Sequence, residues 1–372
     1  MTSSRPHGGH PPAADTASVG AVSRADPGCA RTAERAVEPP LERRSHRRFM
    51  ITGFPRSGTT LLAETLARHP DVHIPNETHF FFYPSARLLF GRPAAFRWLR
   101  PAALRRDLAG SLAAFVREHD HVADILDRHG GRDAFIARVR RDGAGSMYDV
   151  FEQLLAWLGE RTGRRVVGEK TPGQEKITAA LGERLPELRV LHIVRDPRDV
   201  AVSQRNVPWG HAGASFTAVR WRRSQRRAER TRRRLGERFL LVRYEDFVRR
   251  PTAELRRICD FVGVTFSEEL LRDSTHATFD LAVEPWKRQS SETISQSRIG
   301  RWRDVLAEPE LDVVEGLLGR ELDALGYERS RPPRPLWRRV VLGWRAHVAA
   351  GAAFLGDRLV PARRRRTAPH PS

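Results

Sequence analysis

Residues 53–60 read Gly-Phe-Pro-Arg-Ser-Gly-Thr-Thr, two glycines with four residues between them and a closing threonine. This is the spacing of a phosphate-binding loop, G-x-x-x-x-G-K-[ST], except that Thr59 stands where the lysine belongs. Backbone N–H groups at a glycine-rich turn and a helix N-terminus hold anions whatever the side chains are, so the phosphate reading survives the change. The side chains then select the phosphate. A nucleoside triphosphatase needs the lysine on its β and γ phosphates and an acid for magnesium. Here the cation inside the loop is Arg56, and a second apolar run, Leu-His-Ile-Val, ends in Arg195 ahead of Asp196.

Of the 65 basic residues only Lys170, Lys176 and Lys287 are lysine, and the formal charge is +20. Such a balance points to anionic partners: nucleic acid, a membrane surface or a polyanionic small molecule. The preference for arginine also has the character of a coding bias, which scatters arginine over solvated faces. Against that background Lys170, in Gly-Glu-Lys-Thr-Pro at the end of an apolar run, stands out, because Lys and Arg differ in geometry and tunability.

These residues need a scaffold. "RRFMITG" is a short strand ending in Gly53, and "TTLLAETLARHP" has helical spacing and stops at Pro70, giving the strand, loop and helix that a phosphate loop requires. Runs at 164–170, 188–194 and 238–246 read as further buried strands, each followed by a helical pattern. The expectation is an α/β three-layer P-loop domain over residues 46–330 with a central parallel sheet of four to five strands. Residues 84–160 read as a helical insertion over the site. Residues 1–45, rich in Pro, Gly, Ser, Ala and Arg, read as a disordered tail. Residues 331–372 combine a Trp-containing amphipathic segment with four consecutive arginines and read as a basic tail, either packed or loose, or in peripheral contact with an anionic membrane. Two cysteines, Cys29 and Cys259, suit a reducing compartment, and no apolar run has signal-peptide or membrane-spanning character, so a cytoplasmic protein is expected.

The run "FPRSGTTLL", "LARHPDVHIPNET", "GEKTP", "LHIVRDPRDVAVSQ", "VRYEDF" resembles, over residues 47 to 305, the sulfotransferases that use 3′-phosphoadenylyl sulfate. The resemblance implies a metal-free transfer of a sulfuryl group to a hydroxyl acceptor, in a glycan, a small molecule or a peptide tyrosine, and no nucleic-acid partner. It places the 5′-phosphosulfate on Arg56, Ser57, Gly58, Thr59 and Thr60, and the 3′-phosphate on Arg195 and Ser203, which have the family's spacing of eight. It puts Tyr244 against the adenine, although an aromatic packed at a strand end explains that residue equally. "SQSRIGRWRDVL" resembles the segment that closes over the 3′-phosphate, with Arg298, Gly300 and Arg301 as contacts and Trp302 as packing; the Arg-Lys-Gly triplet of the small-molecule branch is missing. A donor with roughly four negative charges can be neutralised by arginines, amides and hydroxyls. Arg56 and Lys170 are the candidates for the bridging oxygen, where charge develops.

The acceptor hydroxyl must lose a proton. The segment around Glu77 resembles the tyrosylprotein sulfotransferases, which implies Glu77 as the base, with His79 and His73 in the same segment as rivals. Asp196 and Asp199 read as a helix cap and arginine partners, and Asp312 and Glu315 as solvated charges. Two other readings stand beside this one: a P-loop kinase, which wants a lysine at position 59, and a basic nucleic-acid or membrane-binding protein, which wants aromatic platforms or a recognisable module.

Overall fold

Five apolar runs pair into one all-parallel sheet in the order β2-β3-β1-β4-β5, where β1 is Arg47–Thr52, β2 Val72–His73, β3 Val166–Lys170, β4 Leu188–Val194 and β5 Phe239–Arg243. The computed structural model describes residues 46–81, 115–116, 119–207, 213–272 and 294–330, with positions 341, 344 and 348 in the tail. The expected disordered tail 1–45, the first part of the helical insertion and most of the basic tail lie outside the described residues. Among the described residues no helix is long and apolar enough to cross a membrane.

A parallel sheet is covered on both faces, and its strands read as continuous apolar runs rather than alternating ones. β4 is buried at every position but Arg189. One face is covered by α1 (Thr59–Ala67), α8 (Tyr244–Arg249) and α9 (Pro251–Val262), whose Leu62, Leu66, Phe247, Leu255 and Ile258 pack on Phe49, Ile51, Leu191 and Ile193. The other is covered first by α4 (Met147–Thr162): Phe151, Leu154, Leu155 and Leu158 meet Met50 and Val167, with α2 (Asp120–Arg128) and α3 (Arg132–Asp142) stacked outside. Residues 147–160, expected in an insertion over the site, therefore form a layer of the core. Further along that face lie α5 (Thr178–Arg184), α6 (Pro197–Gln204), α7 (Ala214–Leu235) and α11 (Glu308–Ala324), with Trp221, Val314 and Leu318 in one cluster with Val194 and Phe54. A short α10 (Trp302–Val305) precedes α11.

Four of the strands follow the sequence reading; β2, two residues long, is too short for any periodicity to show. It pairs with Val166 and Val167 at the start of β3, and so carries the chain toward Glu77 along the sheet edge. The run at 238–246 stops being a strand at Arg243, because Tyr244 opens α8.

Candidate active site

In a parallel sheet all C-terminal strand ends share one edge, and ligands gather there where the strand order reverses. The register sets Ile51 beside Lys170, Thr52 beside His192 and Val194 beside Arg243. The loop after β1, Lys170, Arg195 and Tyr244 thus emerge side by side.

The loop is built for close approach. A Cβ on Gly53 would sit 2.6 Å from the Ile193 carbonyl oxygen, and one on Gly58, whose φ is +99°, 2.6 Å from a Tyr244 ring carbon. Tyr244 is buried by this contact, so its packing role is real. Arg56 has φ 74°, a left-handed conformation that costs a non-glycine residue energy and clusters at functional sites. α1 begins at Gly58 with no side-chain cap and no acid in its first turn, which leaves its first N–H groups for a ligand. The Ser57 hydroxyl is buried with no hydrogen-bond partner among the described residues.

Cations crowd around this loop. Arg56 Nε donates to Ser203 Oγ at 3.2 Å, and Arg195 donates to the carbonyl oxygens of Arg56 (3.4 Å) and Arg298 (2.5 Å). The Arg195 guanidinium lies 4.4 Å over the Tyr244 ring, and its Nε is buried with no hydrogen-bond partner among the described residues. Burial, then the charges of Arg298 and Arg195, pull Arg56 down to about 10, against an opposing pull from Glu77. Such crowding is relieved by an anion.

Asp199 on α6 accepts from the backbone N–H groups of Gly300 (2.7 Å) and Trp302 (3.0 Å), tying the closing segment to the helix that carries Ser203. Arg301, between them, is exposed and is not drawn into the cluster. Asp196 caps α6 as expected, accepting from Arg198 N at 2.9 Å. The expectation for Glu315 fails: it is buried, and its carboxylate accepts from Arg198 at 2.6 Å. The bond joins residues 117 apart, beyond what local charge spacing can reveal.

The reacting groups lie on the other side of the loop. Lys170 Nζ donates to Glu77 Oε1 at 2.5 Å and to Thr60 Oγ1 at 3.4 Å, and His79 Nε2 is 3.2 Å from Glu77 Oε2. Glu77 and Lys170 are both buried. His73 takes no part: burial lowers its pKa to about 4, and its ring meets His129 at 5.0 Å.

Sequence reasoning missed Glu169. It is fully buried behind Lys170, and its Oε1 accepts from Thr78 Oγ1 (2.8 Å) and Thr171 Oγ1 (2.6 Å), while Thr171 Oγ1 accepts from His79 N (3.2 Å). This network pins residues 78 and 79, hence Glu77, to β3, and holds His79 at φ 46°. The only sequence signal was an acid at the end of an apolar strand. Burial raises the Glu169 pKa, so above the ordinary carboxylate range the folded chain keeps a proton that the unfolded chain has lost. Stability should fall as pH rises through that window, and Glu169→Gln should remove the slope in pH-dependent urea melts. Glu169→Ala should cost about 2–4 kcal/mol, from the lost hydrogen bonds and the hydroxyls left unpaired. Identical pH slopes in wild type and the Gln variant would show that Glu169 does not titrate there.

Three residue sets thus converge: an uncapped loop with an orphan hydroxyl, three arginines, and an acid–lysine pair. The described residues fit an anionic ligand that rests on the loop and reaches Arg195 and Ser203.

A match to the Sulfotransferase family covers residues 48–268. Nodulation protein NoeE of Sinorhizobium fredii is 26% identical over 326 residues, 75% of this chain and 66% of that one. Human carbohydrate sulfotransferase 6 is 30% identical over 166 residues, 38% of this chain and 42% of that one. The chain therefore spans less than two thirds of either relative. The sulfotransferase domain of the Synechococcus PCC 7002 olefin synthase superposes with a TM-score of 0.52 at 21% identity, covering 76% of this chain and 96% of that one, a likeness of fold.

Proposed function

This chain belongs to the sulfotransferase family, and from that premise we propose that it moves a sulfuryl group from 3′-phosphoadenylyl sulfate to a hydroxyl of a glycan. The observation that carries the reading is the crowding of Arg56, Arg195 and Arg298 around a loop with uncapped amides and an unpartnered Ser57, facing the Glu77–Lys170 pair. The glycan is supported by the carbohydrate sulfotransferase among its relatives.

The donor supplies an activated sulfuryl group. The loop amides, Ser57, Thr59, Thr60 and Arg56 hold its 5′ end, and Arg195, Ser203, Arg298 and the Gly300 segment hold its 3′-phosphate. Glu77 takes the proton of the acceptor hydroxyl as oxygen attacks sulfur. Lys170 stands between Glu77 and Thr60, so it can turn from the carboxylate toward the bridging oxygen, where negative charge accumulates as the S–O bond breaks. The products are a sulfate ester, adenosine 3′,5′-bisphosphate and a proton on Glu77, which His79 is placed to take up. The same reading keeps the enzyme cytoplasmic, on its cysteine usage. Val341, Trp344 and Val348 of the tail, exposed at one-face helical spacing, support peripheral contact with an anionic membrane.

Thermal melts separate this from the kinase alternative. Adenosine 3′,5′-bisphosphate at about 100 times its dissociation constant should stabilise the chain by roughly 2.7 kcal/mol, while ATP with magnesium should do far less. Stabilisation by ATP and magnesium with no response to the bisphosphate would refute the donor assignment.

A further inference from the structure

α7 carries nine arginines and a single acid, Glu229. Arg220, Arg223, Arg227, Arg230 and Arg234 recur at alternating spacings of three and four, so they stand in file along the helix, while Thr217, Trp221, Ser224, Ala228, Thr231 and Leu235 form the adjoining buried stripe, about 100° round the axis. Four of the five are exposed and Arg227 is half-buried. The arrangement contrasts with other helices, where Arg128 pairs with Asp124, Arg138 with Asp142 and Arg257 with Glu254. On α7, Glu229 serves Arg232 and Arg233, which lie off the file, and within the file Arg234 pairs with Glu183 at its far end. Burial and then the charge of Arg223 pull Arg227 down, and Arg230 adds to this against Glu175. Like charges three or four apart destabilise a helix, so the file is held at a cost that a bound anion would remove.

Its direction matters. α7 runs back along the sheet and leads through residues 236–238 into the start of β5, so its first turns lie at the edge where the phosphate loop emerges. There Arg220 lies 5.9 Å over the ring of Phe54, in the loop itself. From Arg220 to Arg234 the file is roughly 21 Å long. The large apolar side chains exposed among the described residues are Val305, Val341, Trp344 and Val348, none of them on α7, so the file offers charge without a stacking platform or a membrane-inserting face.

We propose that this file is a docking track for an acidic polysaccharide, a chain bearing carboxylate or sulfate groups, which presents one of its hydroxyls to Glu77. The proposal rests on the glycan reading above. A polymer acceptor explains why the file starts beside the phosphate loop, an alignment that neither a duplex nor a bilayer requires.

The test compares the full chain with Arg223→Gln/Arg227→Gln/Arg230→Gln, all outside the donor site. Binding of polygalacturonate, duplex DNA and phosphatidylserine vesicles is measured across a salt series, with bisphosphate thermal stabilisation as the control. Polygalacturonate should bind wild type more tightly than DNA does, although DNA carries a charge about every 1.7 Å. In the variant its affinity should fall at least tenfold at low salt, and the slope of log affinity against log salt should shrink by about 2, for three lost ionic contacts at roughly 0.7 each. The bisphosphate response should be unchanged, which also shows the variant folded. Unchanged polysaccharide affinity in the variant overturns the track. Tighter binding of DNA or of vesicles, lost in the variant, reassigns the file to nucleic acid or membrane. A wild-type chain that ignores the bisphosphate overturns the donor reading instead, by a separate signal.

Discussion

Glu77→Gln is expected to lower turnover by about 10²- to 10⁴-fold, the range that a positioned general base supplies, while leaving stabilisation by adenosine 3′,5′-bisphosphate intact. The substitution keeps the shape of the side chain and an oxygen that can accept from Lys170 at 2.5 Å, so the loop and Thr60 should stay in place. What is lost is the ability to take a proton. The loss should therefore fall on kcat and leave the Michaelis constant for the donor near its wild-type value, the pattern of an interaction realised in the transition state. His79→Gln is the paired experiment, since its imidazole stands 3.2 Å from the other Glu77 oxygen. If Glu77 is the base and His79 only drains the proton, His79→Gln should cost less than Glu77→Gln, and added imidazole should restore part of its rate. Full turnover in Glu77→Gln together with a dead His79→Gln would move the base to His79.

The parts of this site that the sequence discloses are those whose chemistry is local. Two glycines and a threonine at fixed spacing, flanked by a strand and a helix, specify a loop of exposed amides because only that backbone path lets N–H groups point at one ligand. Lys170 is conspicuous for the opposite reason, as one lysine in a chain that places arginine nearly everywhere else. Arg195 and Ser203 are legible through the family's spacing of eight, the first just past the end of β4 and the second in the helix that follows. The parts that are not legible depend on contacts between distant segments. Glu169 and Glu315 are acids like any other in the sequence; the hydroxyls of Thr78 and Thr171 and the guanidinium of Arg198 make them buried acceptors, and those partners arrive only with the fold. α4 shows the same limit: its apolar spacing announces a buried face without naming the surface that buries it, and Met50 and Val167 decide that it belongs to a layer of the sheet.

Arg198→Ala should carry the largest stability cost, about 3–5 kcal/mol, the range for removing one partner from a buried ion pair. Its guanidinium is 2% exposed and donates to Asp196 at 2.7 Å, to Glu315 at 2.6 Å and to the Glu328 carbonyl at 2.8 Å, with the Trp302 ring 3.9 Å below it. Truncation leaves two buried carboxylates without a counter-charge and Trp302 without the cation against its face. Urea titration should show a lower midpoint at unchanged slope. Because the harm comes from stranded carboxylates and not from lost attraction, Arg198→Met/Glu315→Leu should recover the share of the stability owed to Glu315 while Asp196 stays stranded, and the two effects should be non-additive. The site should feel the same change. Trp302 is held at its N–H by Asp199 and at its ring by Arg198, so loosening it loosens the Gly300 segment and should raise the donor Michaelis constant with little change in kcat. Stability unchanged in Arg198→Ala would mean that water reaches both carboxylates and that the network is not closed; stability lost with an unchanged donor constant would mean that Asp199 alone suffices to hold the segment.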